Sequence, residues 1–340
     1  MIKKIGIVDV AKASGVSAAT VSQVLGGGSR PVHAETRDRI IETARALGYR
    51  PNALARALIT KRMNTIGVVI QHADRTGLTN PILYAILDGI LSTATRQKQF
   101  ATLAPYGAWD TANAPLPALF DGRVDGVILV APPSELIAVD HLVESSVPFV
   151  MIGARSENPL ASSIDVDNFA AAEQISRYLI SEGHRRIAFF SHIEGHHQFV
   201  DERLAGFRHA MTSAGIDPDP ARIVLQARNP DDIDSLLIGN ESGRPSAIQC
   251  ASDNCALTVI RRLEQIGLRV PDDISITGFD DIDAAAVSSP PLTTQRQPAA
   301  AIGEQAAEML LLQIRGGREP GTKLLIPTEL VLRSSVSRLP

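Results

Sequence analysis

The run Ile7–Leu25, IVDVAKASGVSAATVSQVL, decides how the first fifty residues fold. At 3.6 residues per turn it divides into two short helices joined at Gly15. Val10, Val16, Val21 and Val24 fall where two crossing helices share a small core, and Ala11 is small enough to let them approach. Gly15 supplies a positive φ that ends the first helix without a Cβ penalty. Ser17 is spaced to cap the second helix by accepting from one of its free amides. The valines leave Ala18, Ala19, Ser22 and Gln23 on the outer face. This is the layout of a helix-turn-helix, whose second helix enters a DNA major groove. A helical hairpin in some larger core is the plainer alternative, but it gives the glycine, the capping serine and the thin polar face no common cause.

Working outward, Gly26-Gly27-Gly28-Ser29-Arg30-Pro31 reads as a loop. No strand precedes these glycines and no Gly-Lys-Ser/Thr follows, which argues against a phosphate loop. The spacing predicts a third helix over Glu35–Leu47, with Ile40, Ile41, Ala44 and Leu47 facing the first two and Gly48 closing it. Asn52 can cap a further helix of about two turns, too short to be stable alone in water. Its leucines, Leu54 and Leu58, are spaced i,i+4 with Ala55 beside them.

Charge supports this division. Residues 1–63 carry a balance of +7 while the 340-residue chain is −4, leaving −11 for the remainder. A basic head on an acidic body fits a nucleic-acid partner. At this length more than one domain is expected. Cys250 and Cys255 lack metal-ligand spacing and read as reduced thiols, and no apolar run approaches the length that spans a bilayer. A cytoplasmic protein without membrane contact, metal or cofactor is the expectation.

From Thr65 strands alternate with helices, as in a parallel α/β sheet. Strands are expected at Ile66–Ile70, Phe100–Leu103, Val124–Val130 and Pro148–Ile152. A second series opens at Ser163–Asp167 and continues at Ile187–Phe190, near Ile223, at Ala247–Gln249 and at Ile274–Thr277. Helices are expected at Pro81–Arg96, Ala170–Glu182 and Leu204–Ala214. Two series of like grain imply two lobes, with a ligand cleft at the carboxyl ends of their strands.

IVDVAKASGVSAATVSQVL followed by ETRDRIIETARALGYRPNALARAL resembles the head and hinge of the lactose-repressor (LacI/GalR) family of transcriptional regulators. SEGHRRIAFF, ERLAGFRHAM, LRVPDDISITGFDDID and PPLTTQRQPAAAIGEQAAEMLL are similar to its effector domain. The resemblance spans essentially the whole chain. It implies a small all-α helix-turn-helix head (1–50), a hinge (51–63) and an α/β two-lobed effector domain like periplasmic sugar-binding proteins (64–340). Lobe one would be about 64–161 and 295–322, and lobe two about 162–294 and 323–335, with the chain crossing three times. The implied partners are palindromic operator DNA, a small effector and a second copy of the chain, and the implied role is repression.

By that likeness Leu58 is the wedge into a minor-groove step, with Ala55 beside it, and Asn52, Arg56 and Arg30 belong to the DNA-facing set. Such a wedge costs base unstacking and gains contact with bent DNA. On the second helix Ser17, Thr20 and Ser22 would position the backbone, while Gln23 reads a base and Ala18 and Ala19 meet a thymine methyl. Glutamine pairs bidentately with adenine. Gln23 stands where the family usually has arginine, so the half-site should differ there.

The resemblance also supplies an effector set. Arg203 in the ERLAG motif, just after a strand and loop, would hold a hydroxyl or carboxylate. Asp280 would be its acidic partner, joined by Asp253, Gln297 and Gln71. A carboxylate, a guanidinium and an amide can make paired hydrogen bonds to sugar hydroxyls, although the same charges could serve only as salt bridges. Ser252 replaces the family's usual asparagine. Ile82-Leu83 replaces an aromatic pair, leaving stacking to Tyr84, Tyr106, Trp109 or Phe199. Gly153-Ala154-Arg155 stands where many relatives place an aspartate, and Arg155 is the candidate to replace it as a charged contact. His192, Glu194, His196 and His197 lack His-Glu-x-x-His spacing and read as a solvated rim. Two other classes compete. A sugar-binding protein without DNA function would make the basic head irrelevant. A sugar-processing enzyme would need a cleft nucleophile or acid/base pair, and no Gly-x-Ser-x-Gly or Gly-x-Gly-x-x-Gly after a strand is present.

Overall fold

Gly15 adopts φ 67° and ends α1 (Ile7–Ser14), and Ser17 Oγ accepts from the Thr20 amide at 3.1 Å to start α2 (Ala18–Leu25). The computed structural model describes residues 5–26, 31–50, 57, 60–70, 80–105, 122–132, 138–144, 147–193, 196–227, 231–237, 243–316 and 321–340. It divides into two units, Met1–Asn64 and Thr65–Pro340. Arg30, Asn52, Ala55, Arg56, Leu58 and Gln71, with Tyr106, Trp109 and Glu194, lie outside the described residues.

In the first unit Val10, Ala11 and Val21 pack with Ile40 and Ala44 of α3 (Ala34–Ala46), and Gly48 follows in the left-handed conformation at φ 64°. Two expectations change. Ile41 is exposed, because Ile40 and Ala44 make the i,i+4 pair and Ile41 is turned some 100° away. Ala18, expected on the outer face, is half-buried against the small core, whereas Ala19 is exposed.

In the second unit twelve strands are described: β1 (Thr65–Ile70), β2 (Phe100–Pro105), β3 (Gly126–Val130), β4 (Phe149–Ile152), β5 (Ser162–Val166), β6 (Ile187–Phe190), β7 (Ile223–Val224), β8 (Ala247–Cys250), β9 (Ser275–Asp280), β10 (Thr293–Arg296), β11 (Lys323–Ile326) and β12 (Glu329–Val331). They form two sheets, ordered β11-β5-β4-β3-β1-β2 and β12-β10-β9-β8-β6-β7. All pairings are parallel except β10 with β12. Strands covered on both faces read as continuous apolar runs, as TIGVVI and GVILV do.

The sheets redraw the lobes. Ser162–Val166 and Lys323–Ile326, both assigned from sequence to lobe two, pair in the first sheet, β5 with β4 and β11 with β5. Thr293–Arg296 pairs with β9 in the second sheet, so the start of lobe one's second segment also shifts. The chain passes between sheets after Val166, after Arg296 and after Ile326, three times as expected. In the first lobe the helix Ala299–Gly316 packs on Pro81–Arg96, and in the second Asn168–Ser181 packs on Gln198–Ser213.

Candidate effector cleft and DNA-facing helix

The carboxyl ends of the strands gather the polar groups. Arg203 was expected just after a loop, but its helix begins at Gln198, so it sits in the second turn. There it is 4% exposed. Its Nε donates to Asn168 Oδ1 at 2.9 Å and a terminal nitrogen donates to the Ala251 carbonyl at 2.5 Å. The guanidinium carbon lies 3.5 Å from the Phe279 ring centroid and 5.1 Å from that of Phe199. Cation–π contact and two acceptors hold a group that burial would otherwise expel. Burial lowers its pKa, opposed first by the charge of Asp280, and guanidinium basicity keeps it a cation.

Asp280 ends β9 in the left-handed region, at φ 123°, a strained conformation for a residue with a Cβ. Its Oδ1 accepts from Gln297 Nε2 at 2.6 Å, and its carbonyl accepts from the Gln297 amide at 3.2 Å. Burial raises its pKa against the pull of Arg203 and Gln297. The adjacent Asp281 differs: it takes Arg296 Nε at 2.7 Å and an Arg333 terminal nitrogen at 2.6 Å, a clamp on the sheet edge.

Asp165, in β5, completes the group and was not foreseen. Its Oδ2 accepts from Asn168 Nδ2 at 3.0 Å, and Asn168 in turn holds Arg203, so an amide links first-sheet acid to second-lobe arginine. Burial pushes its carboxyl up to about 6, although the Val166 amide bond and the charge of Arg203 pull down. One signal was legible: a carboxylate inside the buried strand SSIDV calls for a partner.

The other expected residues fall elsewhere. Asp253 is 0% exposed. Its oxygens accept from the Ile282 amide at 2.9 Å and the Thr294 hydroxyl at 2.5 Å, tying the ends of β9 and β10 to the helix Asp253–Gln265. Burial and the charge of Asp280 raise its pKa. Ser252 caps that helix, its Oγ accepting from the Cys255 amide at 3.2 Å. Leu83 is buried in the first lobe's apolar core. Arg155 follows β4 and is ion-paired to Glu202, while its amide donates to Gln198 Oε1 at 2.7 Å. Of the stacking candidates, Tyr84 is exposed, whereas Phe199 packs on His197 and approaches Gly153. No group of three or more His, Cys, Asp or Glu suited to a metal occurs among the described residues.

On α2, Ala19 is exposed and Thr20, Ser22 and Gln23 are half-buried, with Thr20 Oγ1 2.9 Å from Ser17 Oγ. These side chains follow one another along the helix, beside the capped N-terminus.

Residues 6–52 match the family model for bacterial regulatory proteins of the lacI family, and residues 176–336 match a periplasmic binding protein-like domain. The HTH-type transcriptional repressor PurR of Vibrio campbellii is 34% identical over 98% of this chain and 99% of its own length. The chain belongs to the lacI family. Among solved structures, this lacI-family regulator is similar to the lac repressor dimer bound to operator and the anti-inducer ONPF. The TM-score is 0.83, with 26% identity over 98% of this chain and all of that one. It is also similar to a complex of the transcriptional regulator CelR with cellobiose, with TM-score 0.71 and 28% identity over 97% and 99% of the two chains. The regulator is therefore a DNA-binding repressor with an effector-binding domain, of a family whose members bind operator DNA and small effectors as dimers. Among its described residues no helix is long and apolar enough to cross a membrane.

Proposed function

We propose that the regulator represses transcription from a palindromic operator as a homodimer, under control of a neutral sugar or sugar derivative held between its lobes. The observation that carries the effector reading is the buried Arg203, fixed over Phe279 by Asn168 and the Ala251 carbonyl and faced by the strained Asp280 with Gln297. A guanidinium has five donors in a fixed fork, and a carboxylate and an amide beside it suit vicinal hydroxyls. Two structural neighbours carry small organic ligands by name, ONPF and cellobiose. Asp253 and Ser252, engaged within their lobe, act in support.

The homodimer reading draws on β2, the edge strand of the first sheet among the described residues. Phe100 (73% exposed) and Leu103 (52%) lie on the edge strand β2, with Tyr84 and Leu91 exposed on the helix Pro81–Arg96. An apolar edge of this kind is a site for pairing with another chain.

The test is a thermal-shift screen of the full chain with mono- and disaccharides, including ribose and cellobiose, repeated with Arg203→Gln and Asp280→Asn. A sugar that raises the Tm of the parent and not of the variants supports the reading. A sugar that raises all three equally removes Arg203 and Asp280 from the site. Binding-site selection with Gln23→Ala should relax the preference at one base pair of each half-site, worth ~1–3 kcal/mol. An unchanged selected sequence refutes that assignment.

A further inference from the structure

Consecutive residues Glu202 and Arg203 are both tied to the first lobe, but by different means. Arg203 reaches Asp165 through Asn168, at the first passage of chain between the sheets. Glu202 is ion-paired directly to Arg155, whose loop follows β4 of the first sheet. The backbone reinforces this second link, because the Arg155 amide donates at 2.7 Å to Gln198 Oε1, one helical turn before Glu202. Both side chains of the ion pair are largely shielded, at 29% and 18% exposure, which weakens screening by solvent. Gly153 sits against Phe199 in the same seam. A further link between the lobes is Asn254 Nδ2 to Asn80 Oδ1, long at 3.4 Å.

We propose that Arg155 is a positioning residue rather than an effector contact: with Glu202 it latches the two lobes together and sets the fraction of molecules whose cleft is closed. Arg155 and Gln198 are supplied by opposite lobes and meet only when the lobes approach, so opening costs an ion pair and a hydrogen bond together. The charged groups that face Glu202 across the seam are Arg155 from the loop after β4 and Asp165 from β5, both from the first lobe. Without Arg155, Glu202 faces Asp165 with less compensation, and like charges across the seam favour opening. A ligand that needs the closed form then binds with an affinity reduced by the closed fraction. This latch stands apart from the identity of the effector, and its test uses none.

Spin labels placed at exposed positions on the two lobes, by Thr95→Cys and Glu264→Cys, report the interlobe distance, since Cys250 and Cys255 are buried. Labelled chain is diluted with unlabelled chain so that each assembly carries one labelled copy. The parent should give one narrow distance. Arg155→Ala and, isosterically, Glu202→Gln should each lengthen and broaden it, and the exchange Arg155→Glu with Glu202→Arg should restore it. Arg177→Ala, which removes an exposed pair within the second lobe, should leave it unchanged. A parent distribution unaltered by both single changes, or an exchange that behaves like the sum of its parts, overturns the latch. Thermal midpoints of each variant separate lobe opening from loss of fold.

Discussion

In the first lobe the helices Pro81–Arg96 and Ala299–Gly316 meet through two glycines: a Cβ on Gly89 would lie 2.0 Å from the Ala300 carbonyl oxygen, and one on Gly303 2.0 Å from that of Ile86. The second lobe repeats the arrangement with one, Gly206, whose Cβ would meet the Phe169 carbonyl oxygen at 2.2 Å. The interiors diverge further. Around the first pair the buried groups are Ile66, Val68, Ile86, Ile90, Ala306 and Leu310. The second lobe buries a polar web: Gln249 between Ser176 Oγ (2.6 Å) and the Ala172 carbonyl (3.1 Å), His184 between Ser246 Oγ (2.9 Å) and the Ser337 carbonyl (3.1 Å), and Asp253 beneath Thr294. Among the described residues both lobes pack apolar side chains around their helices, and the second adds this web of buried hydrogen-bonded polar groups to its apolar core.

If this contrast holds, the most damaging small change should be polar and in lobe two. Asp253→Ala strands the Ile282 amide and the Thr294 hydroxyl in a dry interior and leaves a cavity, which should cost ~4 kcal/mol in denaturant-measured stability. A loss under 1 kcal/mol would mean that the web is dispensable.

Asp165 tests the seam between the lobes. Its folded pKa of about 6 exceeds the ordinary value of 3.8, so the native state binds the extra proton between these limits. The sign follows: Asp165 opposes folding when ionised, so stability should fall as pH rises from about 4 through 6. The full penalty above pH 6 corresponds to ~3 kcal/mol for a shift of this size. Asp165→Asn should flatten that stretch of the stability–pH curve, and Asp280, raised in the same direction by burial, accounts for slope that persists. An identical curve for parent and variant would place the Asp165 titration elsewhere.

Shape is probed by Gly303→Ala. The added methyl collides with backbone that can shift only by parting the helices, an overpacking cost of ~2 kcal/mol. The expected signature is a lower midpoint with an unchanged slope in urea. Gly206→Ala should cost a similar amount, and a large disparity would show that the two helix pairs tolerate separation differently.

Much of this contrast was hidden in the chain. The head could be read closely because each of its signals is local: Gly15, Ser17 and the valines act within nineteen residues. Ile41 and Ala18 were misplaced by one helical step, within the angular tolerance of a stripe drawn on short helices. Strand positions were legible from apolar runs, but lobe membership was not, because Ser162–Val166 looks alike whichever sheet it joins and only pairing with β4 decides. At the cleft, Arg203 and Asp280 stood out by motif. Asp165, Asn168 and Glu202 did not, since their meaning depends on partners 35 to 47 residues away.

The smallest effect separates a cap from a contact. From sequence Ser252 belonged to the effector set, yet its hydroxyl accepts from the Cys255 amide at the start of the helix Asp253–Gln265. Loss of such a cap costs ~1 kcal/mol. Ser252→Ala should lower stability by about that amount, while Ser252→Asp, which can still cap, should recover it. If the serine serves only the helix, both variants bind sugar as the parent does once a ligand is found. If Ser252→Ala instead weakens sugar binding tenfold with little change in stability, the hydroxyl faces the effector, and the second lobe's polar web extends to the ligand itself.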